Sequence, residues 1–166
     1  RIFELDAALW SSDPAAQSEI RNRMGWLVAP TTSQILVPQI EALVRNCQAV
    51  GYDHALLLGM GGSSLAPEVL GLTFGVGQAG GKPGLSLEIL DSTDPVQVRT
   101  AAKNARPEKT LYIVSSKSGT TSEVMAFLDY FWAQAQAKLG EKAGEHFIAI
   151  TDPNTKLESI ARERNF

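Results

Sequence analysis

The sequence predicts an α/β domain built on a doubly wound parallel sheet, flanked by helices on both faces. Three observations predict it. Short, continuous apolar runs such as HALLL at 54–58 and LYIV at 111–114 suit strands buried on both sides. Each run leads through a turn into a helical pattern. Strand and helix alternate four times between residue 54 and residue 166, which implies parallel strands joined by right-handed crossovers.

The elements follow in order. Residues 4–10, ELDAALW, are short and amphipathic. Asp13-Pro14 opens a helix, with Asp as N-cap and Pro at the first helical position. That helix is expected to run to about Leu27 with Ile20, Met24, Trp26 and Leu27 as apolar contacts, and the PTTS run at 30–33 to break it. From Gln34 to Val50, Ile35, Leu36, Ile40, Leu43, Val44 and Cys47 recur at helical spacing. The first 50 residues are thus read as a helical segment packing on the domain, with no visible chemistry. Residues 51–166 form the domain itself.

In that domain, HALLL is the first strand. The loop GMGGSS at 59–64 follows, then a helix to about Leu72 with Pro67 in its first turn. The glycines between 71 and 84 mark a flexible connection. Strand two spans 85–90, and Asp94-Pro95 caps a helix to about Asn104. Strand three spans 110–114, and a helix from about Thr120 to Leu139 presents Val124, Phe127, Leu128, Phe131 and Trp132 to the core. Strand four spans 145–150. Asp152-Pro153, then Thr155-x-x-Glu158 as a capping box, start the last helix, which carries Leu157, Ile160 and Ala161.

Bulk properties bound the function. The 166 residues suffice for one compact domain with a core, and a formal net charge of −3 gives no support to nucleic-acid or anionic-membrane binding. The single cysteine, Cys47, permits no intrachain disulfide and reads as a buried, inert thiol. No apolar run is long enough to span a bilayer, and no signal-peptide pattern opens the chain. No His/Cys/Asp cluster has metal-ligand spacing. The chain opens on Arg1 rather than Met and stops just past a helical pattern, as expected of a truncated piece of a larger protein.

Chemistry concentrates in two loops. At 115–121, SSKSGTT brings the hydroxyls of Ser116, Ser118, Thr120 and Thr121, the charge of Lys117 and the freely turning Gly119 to a helix N-terminus. Loop N–H groups, hydroxyls and the positive end of a helix dipole suit a phosphate dianion. A Ser/Thr loop that merely caps a helix is the simpler alternative. The loop at 59–64 stands behind an equivalent strand. If the strands run in the order 2-1-3-4, both loops open into one crevice beyond the strand ends. Glu123 completes a capping box with Thr120, or lines the site.

The Gly-x-Gly-x-x-Ser pattern also weakly resembles a dinucleotide fingerprint, with Asp91 as the ribose-binding acid. Against that, Ser64 replaces the third glycine, and the 115–121 loop is left without a role. Asp91 otherwise reads as a turn residue with Ser92 and Thr93. His54 and His146 stand just ahead of strands, at the end away from both loops, and read as surface or edge residues.

In this order and spacing, GMGGSSLAPEVL and SSKSGTTSEV resemble the two signature segments of the glucose-6-phosphate isomerase family and its sugar-isomerase (SIS) fold. The resemblance covers residues 51–166 and implies a flavodoxin-like three-layer sandwich. The DAALW and NRMGWL segments are similar to the isomerase half of bifunctional transaldolase/phosphoglucose isomerase proteins. Carried over by motif, the family's phosphate ligands fall on Ser116, Lys117, Ser118 and Thr121, its sugar-contacting pair on Gly62 and Ser63, and its helix glutamate on Glu123. Ser118 stands where many members have Thr, and Gly119 where many have Phe.

The resemblance implies reversible conversion of glucose 6-phosphate to fructose 6-phosphate through an enediol, without cofactor or metal. It also implies a cytoplasmic homodimer. The family's base, its ring-opening residue and its arginine come from later segments, which are not found before Phe166. The chain alone is therefore expected to bind phosphosugar without isomerising it. A non-catalytic SIS module that senses a sugar phosphate is the alternative of a different class.

Overall fold

The computed structural model describes residues 1–76, 78–79 and 82–166, with side chains outside 77–83. The chain divides into two compact units, Arg1–Asn46 and Cys47–Phe166.

The first unit is helical throughout. Short 3-10 turns at Ile2–Glu4 and Ala7–Leu9 precede α1, Pro14–Arg23. The Asp13 carboxylate accepts from the Ala16 N–H at 2.8 Å, the expected cap. A 3-10 turn at Gly25–Leu27, α2 at Ala29–Thr32 and a further 3-10 turn at Ser33–Leu36 lead into α3, Val37–Val50, which runs past the unit boundary. The expected break at 30–33 is therefore corrected. Pro30 lies at the start of α2, where no intrahelical N–H is needed, so it is tolerated. Met24 is buried, but Trp26 is 69% exposed, against its expected role as a core contact. The apolar positions expected along 34–50 are likewise exposed, and only Cys47 is buried. A 3.6-residue period states which side chains share a face, not what covers it. Burial pushes the Cys47 thiol pKa up, consistent with an inert thiol.

The second unit alternates as expected. Its elements are β1 His54–Gly59, α4 Gly62–Phe74, β2 Gln78–Ala79, β3 Lys82–Pro83, β4 Ser86–Leu90, α5 Pro95–Asn104, β5 Thr110–Ser115, α6 Ser122–Leu139, β6 Phe147–Ile150 and α7 Lys156–Glu163. Four strands form one parallel sheet in the order β4-β1-β5-β6, which is the 2-1-3-4 order. β2 and β3 make a separate antiparallel pair inside the connection expected at 71–84. The glycines at 77, 80 and 81 in that connection lie outside the described residues.

Cross-strand registers build the core in layers. Leu56, Tyr112 and Phe147 face one another across β1, β5 and β6, and Leu90, Leu58 and Val114 form the next layer across β4, β1 and β5. Onto this face α6 places Val124, Phe127, Leu128, Phe131 and Ala135, and α5 places Ala101, with Ala105 just beyond its end. Tyr112 and Phe147 stack with ring centroids 4.6 Å apart. α4 lies beside β1 and β4, on the opposite face by the right-handed rule for its crossover.

Several boundaries move. α4 begins at Gly62, so Gly62, Ser63 and Ser64 belong to its first turn rather than to a loop. Pro67 then falls inside the helix, past the first turn. α6 begins at Ser122, and β6 only at Phe147, after a 3-10 stretch over Gly140–His146. That stretch carries His146 inward. The ring is 8% exposed, packs edge-on to Tyr52 at 5.0 Å and lies 3.3 Å from the Thr110 carbonyl. The expectation of a surface histidine there is corrected.

Candidate functional site

The two chemically dense segments leave the sheet side by side. Gly59, the last residue of β1, is in register with Ser115, the last of β5, and Ser115 is in register with Ile150, the last of β6. Three connections therefore emerge at one level of the C-terminal edge, where doubly wound sheets take their ligands.

At the first, the chain turns at Gly61, whose φ of +56° is in the left-handed region open to glycine. The Ser64 hydroxyl donates back to the Gly61 carbonyl at 2.9 Å and is buried. Gly62 and Ser63 form the start of α4, with Gly62 exposed and Ser63 partly buried. A Cβ on Gly59 would come within 3.0 Å of the Ser63 carbonyl oxygen, so this close approach of turn to strand also depends on glycine.

At the second, residues 116–121 coil back on themselves. The Ser116 hydroxyl, in a side chain only 2% exposed, lies 3.0 Å from the Thr121 hydroxyl. Ser118 Oγ accepts from the Thr120 N–H at 3.3 Å and the Thr120 hydroxyl at 3.1 Å. Gly119 has a φ of +65° and its N–H donates to the Ser116 carbonyl at 3.1 Å. Lys117 Nζ pairs with Asp152 Oδ2 at 2.6 Å.

The helix starts differ in a telling way. α5 and α7 begin at the same sheet edge and are capped by side chains: Asp94 accepts from the Val96 and Gln97 N–H groups, and Thr155 from the Glu158 N–H. α4 and α6 are not. Their N-caps, Gly61 and Thr121, accept nothing with a side chain. The Thr121 hydroxyl is turned to Ser116 instead. This also corrects the Thr120–Glu123 capping box. With Thr121 as N-cap, Glu123 is the second helical residue, one short of the spacing the box needs. Glu123 is partly buried in the first turn of α6 and makes no ion pair among the described residues. At α4 the Ser63 and Ser64 N–H groups donate to the Met60 and Gly61 carbonyls, so it is the α6 start that brings first-turn N–H groups without a side-chain acceptor to the hydroxyl-rich turn. Such an arrangement can hold an anion.

The third connection, after β6, escaped sequence reasoning as part of this site. The Ser116 N–H donates to the Ile150 carbonyl at 3.0 Å, and the Asp152 N–H to the Lys117 carbonyl at 3.2 Å. The Thr151 hydroxyl reaches the same Lys117 carbonyl at 3.4 Å and the Thr155 hydroxyl at 2.9 Å. A Cβ on Gly119 would lie 2.6 Å from Thr155 Cβ, so the β6–α7 turn packs directly beneath the loop. Its only sequence signals, Asp-Pro and Thr-x-x-Glu, announce a helix start. Glu158 there takes the Arg162 guanidinium and the Asn154 N–H, which hold its carboxyl below the ordinary carboxylate range. An open cavity of about 290 Å³ lies beyond this turn, between Thr151, Asp152, Glu158 and Arg162. No cluster of His, Cys, Asp and Glu suited to a metal ion occurs among the described residues.

Asp91 is exposed beyond the end of β4. His54 is the first residue of β1, bonded to the Ser86 hydroxyl at 2.9 Å, at the opposite edge from these loops.

Known proteins match both the sequence and the fold. The family model described as Phosphoglucose isomerase matches residues 45–165. A glucose-6-phosphate isomerase of Thermus thermophilus is 30% identical over 140 residues, covering 84% of this chain and 31% of the relative. One from Carboxydothermus hydrogenoformans is 28% identical over 149 residues, covering 86% of this chain and 32% of the relative. The chain spans about a third of the length of the curated relatives it matches. Among solved structures, the hypothetical protein TT0462 from Thermus thermophilus superposes with a TM-score of 0.75 at 26% identity, over 99% of this chain and 37% of that one. A glucose-6-phosphate isomerase from Chlamydia trachomatis superposes with a TM-score of 0.68 over 97% of this chain and 29% of that one; at 23% identity it speaks for the fold alone.

Proposed function

This chain belongs to the phosphoglucose isomerase family, and on that premise we propose that it is the N-terminal, phosphosugar-binding SIS domain of a glucose-6-phosphate isomerase. The substrate is a sugar phosphate, glucose 6-phosphate in exchange with fructose 6-phosphate. The full-length protein is read as a cytoplasmic homodimer that moves a proton between C1 and C2 and takes no cofactor. In this reading Ser116, Ser118 and Thr121 donate hydroxyl protons to the phosphate, Lys117 adds a point charge, and Gly62 and Ser63 face the sugar. Glu123 lines the site.

One observation carries the proposal. α4 and α6, which start beside the paired strand ends Gly59 and Ser115, are the helices at this edge whose N-cap side chains accept none of their N–H groups. The first-turn N–H groups of α6, the positive ends of both helix dipoles and the hydroxyls of the 116–121 turn are then available to one dianion, while at α4 the Ser63 and Ser64 N–H groups already donate to the Met60 and Gly61 carbonyls. A phosphate is the common part of both partners in the exchange, so a rigid seat for it serves either direction.

Calorimetric titration with fructose 6-phosphate tests the reading. Lys117→Ala is expected to weaken binding by at least about tenfold, or about 1.4 kcal/mol, through loss of a charge-assisted contact. Unchanged affinity removes Lys117 from the site.

A further inference from the structure

Lys117 is the lysine of the 116–121 turn, and its partner in the structure is a carboxylate. The Nζ–Oδ2 separation to Asp152 is 2.6 Å, with 86% of the Lys117 side chain and 53% of the Asp152 side chain exposed. Two long, solvated side chains meeting at a surface would mean little. Here the backbones of both residues are joined, which fixes where the pair meets without making it stronger. The Asp152 N–H donates to the Lys117 carbonyl, and the Ser116 N–H, one residue earlier, donates to the Ile150 carbonyl. Thr151 bonds the Lys117 carbonyl as well. The short Asp152 side chain is thereby carried at a fixed distance from the turn that bears Lys117. Glu158, the next carboxylate along that segment, is occupied by Arg162 and the Asn154 N–H. Asp152 is therefore the group that answers the Lys117 charge.

We propose that Asp152 is a positioning residue that competes with the substrate phosphate for Lys117 and so sets how tightly the seat holds its anion. This rests on the reading of residues 116–121 as a phosphate seat. The exchange is cheap, since an exposed pair is worth little and a dianion attracts the ammonium more strongly than a single carboxylate does. The consequence is an affinity kept below what the loop and lysine would reach unopposed. That suits a site that must release either of two sugar phosphates.

The test is calorimetric titration of inorganic phosphate and of fructose 6-phosphate into the wild-type chain, Asp152→Asn, Asp152→Glu, Lys117→Ala and the Asp152→Asn/Lys117→Ala pair. Asp152→Asn keeps the backbone bond that joins the turns. It is expected to tighten binding about two- to fivefold, the range set by an exposed ion pair. Asp152→Glu restores the wild-type value, and the gain from Asn falls by more than half in the Lys117→Ala background. A merely structural Asp152 predicts weaker binding in the Asn variant. Weaker or unchanged binding there, with Lys117→Ala still costing affinity, overturns the competition alone. Failure of the wild-type chain to bind either ligand, or indifference to Lys117→Ala, overturns the phosphate seat itself.

Discussion

At Gly119 a single missing methyl holds the candidate site together. Its φ of +65° is one that L side chains adopt at a cost of about 1–2 kcal/mol. The space is also closed: a Cβ would stand 2.6 Å from Thr155 Cβ and 3.0 Å from the Leu157 backbone nitrogen. The first contact involves a small side chain that can be removed, but the second involves backbone that cannot. Gly119→Ala is therefore expected to lower stability by at least about 1–2 kcal/mol from the backbone conformation alone. It should also displace the turn enough to reduce sugar-phosphate affinity severalfold. Adding Thr155→Gly, which removes the Cβ that alanine would keep, should recover part of the affinity by relieving the side-chain clash, but not the backbone term. Thermal unfolding and phosphate titration of the two variants check this. Equal loss in both would mean that Thr155 does not press on the turn. Gly119 was legible in the sequence as a close-approach residue. The identity of what approaches was not, because Thr155 lies 36 residues away and is brought there by the pairing of β5 with β6.

Among the secondary-structure elements, local signals were read correctly and distant ones were not. α5 and α7 start where Asp94-Pro95 and Thr155-x-x-Glu158 place them, because a cap acts within three residues of itself. α4 and α6 start elsewhere than expected. Gly61 has no side chain to cap with, and Thr121 gives its hydroxyl to Ser116. Their starts follow from the turn and from the sheet, not from a local motif. The central strands β1 and β5 were legible because burial on both faces demands continuous apolar runs. On α3 and the turn before it the same kind of pattern located a helix but not a buried face, since Ile35 is 78% and Ile40 54% exposed. The cap on α5 yields a clean prediction. Asp94 Oδ1 accepts from the Val96 N–H at 2.8 Å and the Gln97 N–H at 3.1 Å. Asp94→Ala should cost about 1 kcal/mol, seen as a fall in Tm of about 2–4 °C. An unchanged Tm would mean that the first turn of α5 finds other acceptors. Affinity for phosphate should not follow, because Asp94 lies outside the proposed contacts.

For the molecule as a whole, the decisive question is how far seating a phosphate goes toward isomerising a sugar. Ring opening and proton transfer between C1 and C2 call for an acid, a base and a cation near the developing charge, all within hydrogen-bond reach of the sugar. In the proposed reading, the hydroxyl turn and the helix starts supply the seat and little else. Both histidines stand at the wrong edge of the sheet: His54 opens β1, whose last residue is Gly59, and His146 directly precedes β6. At about 3.3 Å of rise per residue, the backbone of His54 is roughly 16 Å from the strand end where the loops begin. His146 is in addition buried against Tyr52 and the Thr110 carbonyl. Among the described residues, the carboxylates at the loop edge include Glu123 on α6, Asp91 and Asp94 after β4, Asp152, which is engaged by Lys117, and Glu158, which is engaged by Arg162. A base alone, without an acid to open the ring, leaves the closed hexose phosphate unreactive at C2. The 166-residue chain is therefore expected to bind fructose 6-phosphate and to show no conversion to glucose 6-phosphate above the uncatalysed rate, when the product is followed by coupled reduction of NADP. Adding the remaining two-thirds of a relative's chain in trans is the natural complement, and restored turnover would locate the missing groups there. Robust turnover by this chain alone, abolished by Glu123→Gln, would instead show that the first turn of α6 carries the catalytic base and that ring opening needs no histidine.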